Sequence, residues 1–304
     1  MTTPQLIAID WGTSNARAAL LDANGAILDE NHAKSGVGEL GAIGFALRFE
    51  ELTNGWPILP AIACGMIGSR QGWREAKYLE CPLLVDDIAK NLTIMDHQER
   101  RIAIVPGLKL DDGWRYDVMR GEETQLTGFL AKEPEFTGTV IMPGTHSKCV
   151  AVSSGRVTTF QTYMTGEIYS ALAEHTILRH SISNSDNTTS GFAHAARTIV
   201  DEDRPIDGRL FGLRARALLG EADGASLRQE LSALLIHSEI CAAVDDGFKL
   251  DDSTVLIGDS ELTVRYAKLL SFRQIIARQI DSDKLVWSAL FDLATRANIL
   301  TECP

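Results

Sequence analysis

The feature that most constrains this chain is a plan that occurs twice. Residues 7–22 read as an apolar run ending at Asp10-Trp11, a polar turn of Gly12, Thr13, Ser14 and Asn15, and a second apolar run, with no helical period across them. Residues 140–152 repeat the plan: an apolar run closed by Pro143, then Gly144, Thr145, His146, Ser147 and Lys148, then apolar residues again. Each copy passes through a further turn, Asn24-Gly25 or Ser154-Gly155, into another strand. Two such strand-turn-strand-turn-strand units, one near the start and one near mid-chain, predict a duplicated α/β domain. Neither turn carries the GxGxxG fingerprint or the Gly-Lys-Ser/Thr ending of a P-loop, so a phosphate site at these hairpins needs a different fold from either.

The turns have the chemistry for phosphate. Gly12 lets the backbone approach a ligand closely, and Thr13, Ser14 and Asn15 supply hydroxyl, amide and backbone donors for phosphate oxygens. An acid such as Asp10 beside that anion makes sense when a metal bridges the two through water. An ordinary hairpin also favours Asp and Gly, and one turn alone does not separate the readings. The second copy favours phosphate.

Composition bounds the partners. With 304 residues the chain can hold one large or two medium cores. Its net charge of -12 argues against nucleic acid or an anionic membrane surface, which call for a basic patch. Cys64, Cys81, Cys149, Cys241 and Cys303 are far apart with no CxxC pair, so neither a zinc site nor a disulfide framework is expected. No basic region precedes an apolar one at the N-terminus and no apolar run approaches membrane-spanning length, so a cytoplasmic protein is expected.

Along the chain, Gly36, Gly38, Gly41 and Gly44 mark a loop leading into a helix at 45–53. A short apolar strand at 60–66 runs into a polar turn with Met66, Gly68, Ser69, Arg70 and Arg74, at the strand end where open α/β sheets place ligands. Arg70 and Arg74 suit a carboxylate substrate, or are two surface arginines. A strand at 101–107 follows, then a stripe of Leu126, Phe129 and Leu130 that puts Glu122 and Glu123 in the first turn of a helix. The helix dipole alone accounts for carboxylates there, but a hydroxyl-phosphorylating enzyme also needs one to orient or accept the proton of the attacking alcohol. Thr165 reads as the N-cap of a helix at 168–178. His175 and His180 share no helix face and are ordinary histidines, and 184–190 reads as a polar loop. Helices are expected at 192–200, 210–219, 225–244, 261–277 and 285–298, with one strand at 254–257 leading into Gly258, Asp259 and Ser260, a platform for adenine or ribose.

These parts resemble the sugar kinase, Hsp70 and actin superfamily, and more closely the 2-dehydro-3-deoxygalactonokinase family. The carrying stretches are Asp10-Trp11-Gly12, Gly65-Met66-Ile67-Gly68-Ser69 with Gly72-Trp73, Val118-Met119-Arg120-Gly121-Glu122-Glu123-Thr124-Gln125, Pro143-Gly144-Thr145-His146-Ser147-Lys148, Thr165-Gly166-Glu167 and 258–266. The resemblance implies two duplicated ribonuclease-H-like (actin-like ATPase) domains around a central cleft, at 1–137 on the substrate side and 138–304 on the nucleotide side. It implies an ATP-dependent kinase of 2-keto-3-deoxygalactonate at O6. Asp10 would hold Mg2+ through water, while Gly12 to Asn15 and Gly144 to Ser147, with Lys148, would clasp the phosphates. Gly258, Asp259 and Ser260 would back adenine. Met66, Gly68, Ser69, Arg70 and Arg120 would line the sugar-acid site, and Glu123 would be the base, with Glu122 or Asp117 as alternatives. A kinase of another sugar acid, such as the gluconate-derived epimer, and a non-kinase ATPase of the superfamily remain rivals. A homodimer is compatible with the resemblance. Cys149, Lys77 and His237 depart from the family pattern, and His237 is expected near the nucleotide.

Overall fold

The computed structural model describes residues 3–34, 42–182, 189–202 and 204–301. Most of the glycine loop expected before the first helix, most of the polar loop at 184–190, and Cys303 lie outside the described residues. In chain order the elements begin with β1 (Pro4–Trp11), β2 (Ala16–Asp22), β3 (Ile27–Ala33), α1 (Ala42–Leu52), β4 (Ala61–Gly65), β5 (Tyr78–Glu80), β6 (Leu83–Leu84), α2 (Asp86–Ala89), β7 (Thr93–His97), β8 (Arg100–Ile104), β9 (Gly107–Asp111), β10 (Tyr116–Met119) and α3 (Glu122–Lys132). They continue with β11 (Gly138–Met142), β12 (Ser147–Ser153), β13 (Arg156–Tyr163), α4 (Thr165–His175), α5 (Thr189–Glu202), α6 (Asp207–Leu219), α7 (Gly224–Asp245), β14 (Val255–Gly258), α8 (Ser260–Phe272), β15 (Arg278–Asp281) and α9 (Asp283–Arg296).

Two compact units result: Met1–Phe136 with Ser153–Thr159 and Ser282–Pro304, and Thr137–Val152 with Phe160–Asp281. Within the first unit the C-terminal α9 packs on α3. Gly128 permits this contact: a Cβ there would lie 2.6 Å from the Leu285 carbonyl.

In the first unit the sheet order is β3-β2-β1-β4-β8-β7. Strands β1, β2 and β3 form an antiparallel meander, and β4 and β8 add in parallel. β1 is buried from Leu6 to Ile9, as a central strand covered on both faces must be. Its core gathers Ile7, Ile9, Trp11, Phe45, Phe49, Ile102 and Ile104. A second sheet of this unit runs β10-β9-β5.

In the second unit the order β13-β12-β11-β14-β15 follows the same scheme, with β11 antiparallel to β12 and parallel to β14, and β14 parallel to β15. Its core joins Ile141 and Leu256 of the sheet to Phe192, Leu231, Leu234 and Leu269 of the helices.

Two expectations need correction. The helix expected at 261–277 ends at Phe272, because Gln274 adopts a left-handed φ of 63° and the Ile275 N–H turns back to the Leu270 carbonyl. The residues beyond form β15, an edge strand with three of its four residues exposed and hence without apolar alternation. Thr165 is the first residue of α4 and not its cap; that position falls to Met164, which makes no side-chain capping bond.

Candidate functional site

Parallel pairing of β1 with β4 sets Asp10 opposite Cys64 and Trp11 opposite Gly65, at the carboxyl ends of both strands. Gly65 has a φ of 82°, and a Cβ there would sit 2.5 Å from the Trp11 carbonyl oxygen, so only glycine lets the strands close up here. Asp10 Oδ2 accepts from Arg17 Nε at 2.9 Å, and Oδ1 accepts the Cys64 thiol at 3.6 Å. Arg17 also donates to Asp283 at 2.6 Å and lies over the Trp287 ring, which ties α9 to the first hairpin. The turn itself is tight, with Gly12 N–H bonded to the Asn15 carbonyl at 2.8 Å, and Thr13, Ser14 and Asn15 are exposed.

The N-terminus of α3 meets this strand end, where Gly121 passes against the Gly65 Cα. Glu123 is fully buried; Oε2 accepts the Gly121 N–H at 2.7 Å and Oε1 the Thr124 hydroxyl at 3.1 Å. Burial, reinforced by the negative charge of Glu122, pushes its pKa up from 4.5 to about 8 against the pull of the Gly121 N–H. Burial likewise raises the Cys64 thiol, helped by Asp10 and Glu123, which places the three groups in one neighbourhood. Glu122 is half-buried and accepts the Arg120 N–H at 3.2 Å. Asp117 sits in β10 and accepts the Val118 N–H at 2.7 Å.

After β4 a turn of 3-10 helix, Met66–Gly68, leads to Ser69 and the exposed Arg70. Arg120 braces this segment from beneath: its guanidinium donates to the Ala76 carbonyl at 2.7 Å, stacks on Tyr78 at 4.3 Å and packs against Gly68. Two buried polar atoms here, Ser69 Oγ and Arg120 Nη1, have no hydrogen-bond partner among the described residues. Such groups mark a place where a polar ligand lowers the free energy of binding most.

The second hairpin is closed by α4. A Cβ on Gly166 would fall 2.6 Å from the Gly144 carbonyl oxygen, and the Glu167 N–H bonds the Thr145 carbonyl at 3.1 Å. His146 pairs with Glu167 across the same contact, 2.5 Å apart. Ser147 and Lys148 turn inward and are buried; the Lys148 ammonium donates to the His146 carbonyl at 2.6 Å. Ser147 donates to Glu239 Oε1 at 2.6 Å, while Thr165 and Tyr266 both donate to Oε2 at 2.5 Å. Burial raises the Glu239 pKa, opposed by these three hydroxyls and by Lys148.

Beside this cluster lies a cavity of about 260 Å³. Gly144, Thr145, Thr165 and Gly166 form one side, Leu235, Ile236, Leu262 and Tyr169 give apolar wall, and Arg228, Ser232, Glu261 and Arg265 supply polar groups. The α8 contribution starts one residue beyond Gly258, Asp259 and Ser260, whose Asp259 carboxylate caps the helix by accepting the Glu261 N–H at 2.8 Å. His237 lines a second cavity of this unit with Arg204, Pro205 and Cys241. Cys149 is buried in β12 opposite Ile141, and Lys77 is an exposed donor to Asn91.

Sequence reasoning missed Arg17, Cys64, Glu239, Arg228 and Arg265. Pairing register sets Arg17 and Cys64 beside Asp10 in the first unit, helix packing gathers Glu239, Arg228 and Arg265 in the second, and their spacing carries no signal. Arg265 and Tyr266 lay inside the noted stretch 258–266 but had no role.

The family model described as 2-keto-3-deoxy-galactonokinase matches residues 10–293. A Rhizobium meliloti (strain 1021) protein named as a 2-dehydro-3-deoxygalactonokinase is 36% identical over 289 residues, 93% of this chain and 94% of its own length. An Escherichia coli (strain K12) protein with the same enzyme name is 33% identical over 266 residues, 87% of this chain and 88% of its own. A crystal structure from Sinorhizobium meliloti, bearing that name too, superposes with a TM-score of 0.87 at 36% identity, over 95% of this chain and 98% of that one. The (R)-2-hydroxyglutaryl-CoA dehydratase component A of Acidaminococcus fermentans, 13% identical with a TM-score of 0.51 over 97% of this chain and 98% of that one, shares the fold alone. The fold is thus a mixed α/β fold of the actin-like ATPase kind. Among the described residues no helix is long and apolar enough to cross a membrane.

Proposed function

The chain belongs to the 2-keto-3-deoxy-galactonokinase family, and on that premise we propose how its residues phosphorylate 2-dehydro-3-deoxygalactonate, in galactonate catabolism, at O6 with ATP as donor. It is a carbohydrate kinase. The reading includes two duplicated ribonuclease-H-like domains with a central cleft, a duplication supported by the shared order of a three-strand meander followed by two parallel strands.

The observation that carries the site assignment is the convergence of Asp10, Cys64 and Glu123 at the carboxyl ends of β1 and β4. Gly12 to Asn15 would receive phosphate oxygens through exposed donors, and the Gly144-Thr145 turn would receive them from the second unit. Asp10 fits a magnesium ion held through water. Its side chain is 24% exposed, and no group of three or more His, Cys, Asp or Glu able to hold a metal occurs among the described residues. That pattern suits an ion taking most of its ligands from water and phosphate, where it would neutralise charge on the transferred group.

The Met66 to Arg70 turn would hold the sugar acid, with Ser69 and the exposed Arg70 as polar contacts and Arg120 as the brace that also offers an unmatched N–H. Glu123 is the proposed base: with a pKa of about 8 it is, once ionised, a stronger base than an ordinary carboxylate. One observation favours Glu122 instead, since it is half-buried whereas Glu123 is sealed. The apolar cavity beside Gly144 would take the nucleoside.

Coupled ADP detection with the two epimeric 2-keto-3-deoxy acids tests the reading. The galacto epimer should be used with a kcat/KM at least about tenfold higher. Preference for the gluco epimer would reassign the substrate, and ATP turnover indifferent to either acid would remove the kinase reading.

A further inference from the structure

We infer that Glu239 decides which atoms the cavity of the second unit shows its ligand: by holding the hydroxyl protons of Thr165 and Tyr266 it leaves oxygen lone pairs to meet a hydrogen-bond donor of the nucleoside. This rests on the proposed reading of the cavity as the nucleotide site.

An ionised carboxylate accepts and cannot donate, so each hydroxyl in contact with it must donate. Glu239 is 5% exposed, and its two oxygens take three hydroxyls, from Ser147, Thr165 and Tyr266, at 2.5–2.6 Å. Thr165 and Tyr266 also line the cavity, and Thr165 is half-buried, its hydroxyl oxygen held against Glu239. With its proton committed, that oxygen is an acceptor only. A phosphate oxygen is an acceptor as well and gains nothing there, and the carboxylate behind it adds repulsion. A ribose hydroxyl or the exocyclic amine of adenine carries the proton this wall lacks. The nucleoside is therefore directed to the Thr165 side of the cavity, and the phosphates to the N–H groups of the Gly144-Thr145 turn. Glu239 itself touches no ligand; it is a positioning residue that ties the second hairpin, α4 and α8 into one arrangement.

The test compares ATP with 2′-deoxy-ATP, 3′-deoxy-ATP and inosine triphosphate on the full-length enzyme, as wild type and as Thr165→Val, Glu239→Gln and Ile236→Trp. At least one analogue, lacking the 2′-hydroxyl, the 3′-hydroxyl or the exocyclic amine, should show a KM about 3- to 10-fold above that of ATP in the wild type. The analogue that does so identifies the ribose or the base as source of the donor. Thr165→Val should abolish that ratio, and Glu239→Gln should shrink it while raising the KM for ATP, both leaving the KM for the sugar acid unchanged. Equal use of all four nucleotides by the wild type, or an unchanged ratio in Thr165→Val, overturns the inference. Ile236→Trp fills the cavity and separates the two levels. If it raises the KM for ATP while the ratio survives Thr165→Val, only the role of Glu239 falls; if it leaves the KM for ATP unchanged, the cavity assignment falls and the inference with it.

Discussion

Replacing Glu123 by Gln should flatten the pH dependence of the first unit's stability. In the folded chain this carboxyl keeps its proton up to about pH 8, whereas the ordinary value is 4.5. A folded-state pKa raised in this way stabilises fully below the unfolded value, and the contribution is lost as pH rises through the folded value. A rise of about 3.5 units at ~1.4 kcal/mol each sets a total loss on the order of 5 kcal/mol, of which roughly 4 kcal/mol falls between about pH 5 and about pH 9. Glutamine has no proton to lose, and its carbonyl can still accept the Gly121 N–H, so the variant avoids that loss. Any constant cost of the amide cancels when the difference between the two proteins is followed with pH. All five tryptophans, Trp11, Trp56, Trp73, Trp114 and Trp287, belong to this unit, so their fluorescence during urea unfolding reports on it. The wild type should lose roughly 4 kcal/mol relative to Glu123→Gln from about pH 5 to about pH 9. Parallel curves, with a difference constant to within about 1 kcal/mol, would mean that the buried carboxyl ionises normally and that the reasoning from burial is wrong.

The same carboxyl predicts catalysis. A base acts deprotonated, so kcat/KM should climb with pH through about 8, and Glu123→Gln should cost about 10²- to 10⁴-fold in kcat. A flat profile, with Glu122→Gln as the damaging variant, would move the role to Glu122. Gly65→Ala should destabilise the first unit by about 3 kcal/mol or more, because the added carbon meets the Trp11 carbonyl at a positive φ. Gly55→Ala, with a similar φ and nothing within 4 Å, should cost only about 1 kcal/mol in the same urea titration. Gly166→Ala pushes on the Gly144-Thr145 backbone and should raise the KM for ATP about tenfold with the sugar-acid KM unmoved; an unchanged ATP KM would detach this hairpin from nucleotide binding.

Much of the frame was legible because it is written in local chemistry. Apolar runs closed by Gly12 and Gly144 marked both hairpins, and the stripe of Leu126, Phe129 and Leu130 placed Glu122 and Glu123 in the first turn of α3. The edge strands β7 and β15 escaped: three of the four residues of β15 are exposed, and in β7 the apolar Ile94 and Met95 are neighbours in sequence, so neither segment shows an apolar alternation to read. Helix α8 was overextended because nothing about Gln274 announces a left-handed turn.

The sequence by itself determined the strand-glycine-strand turns, the first-turn glutamates and the family, since spacing along one chain segment is enough for each. Tertiary structure alone decided that Cys64 lies beside Asp10, that Glu123 is sealed while Glu122 is half-buried, and that Glu239 gathers Ser147, Thr165 and Tyr266. Those facts depend on parallel register and helix packing between residues up to 92 positions apart, where solvent exclusion, not sequence distance, sets the charge and the hydrogen bonds.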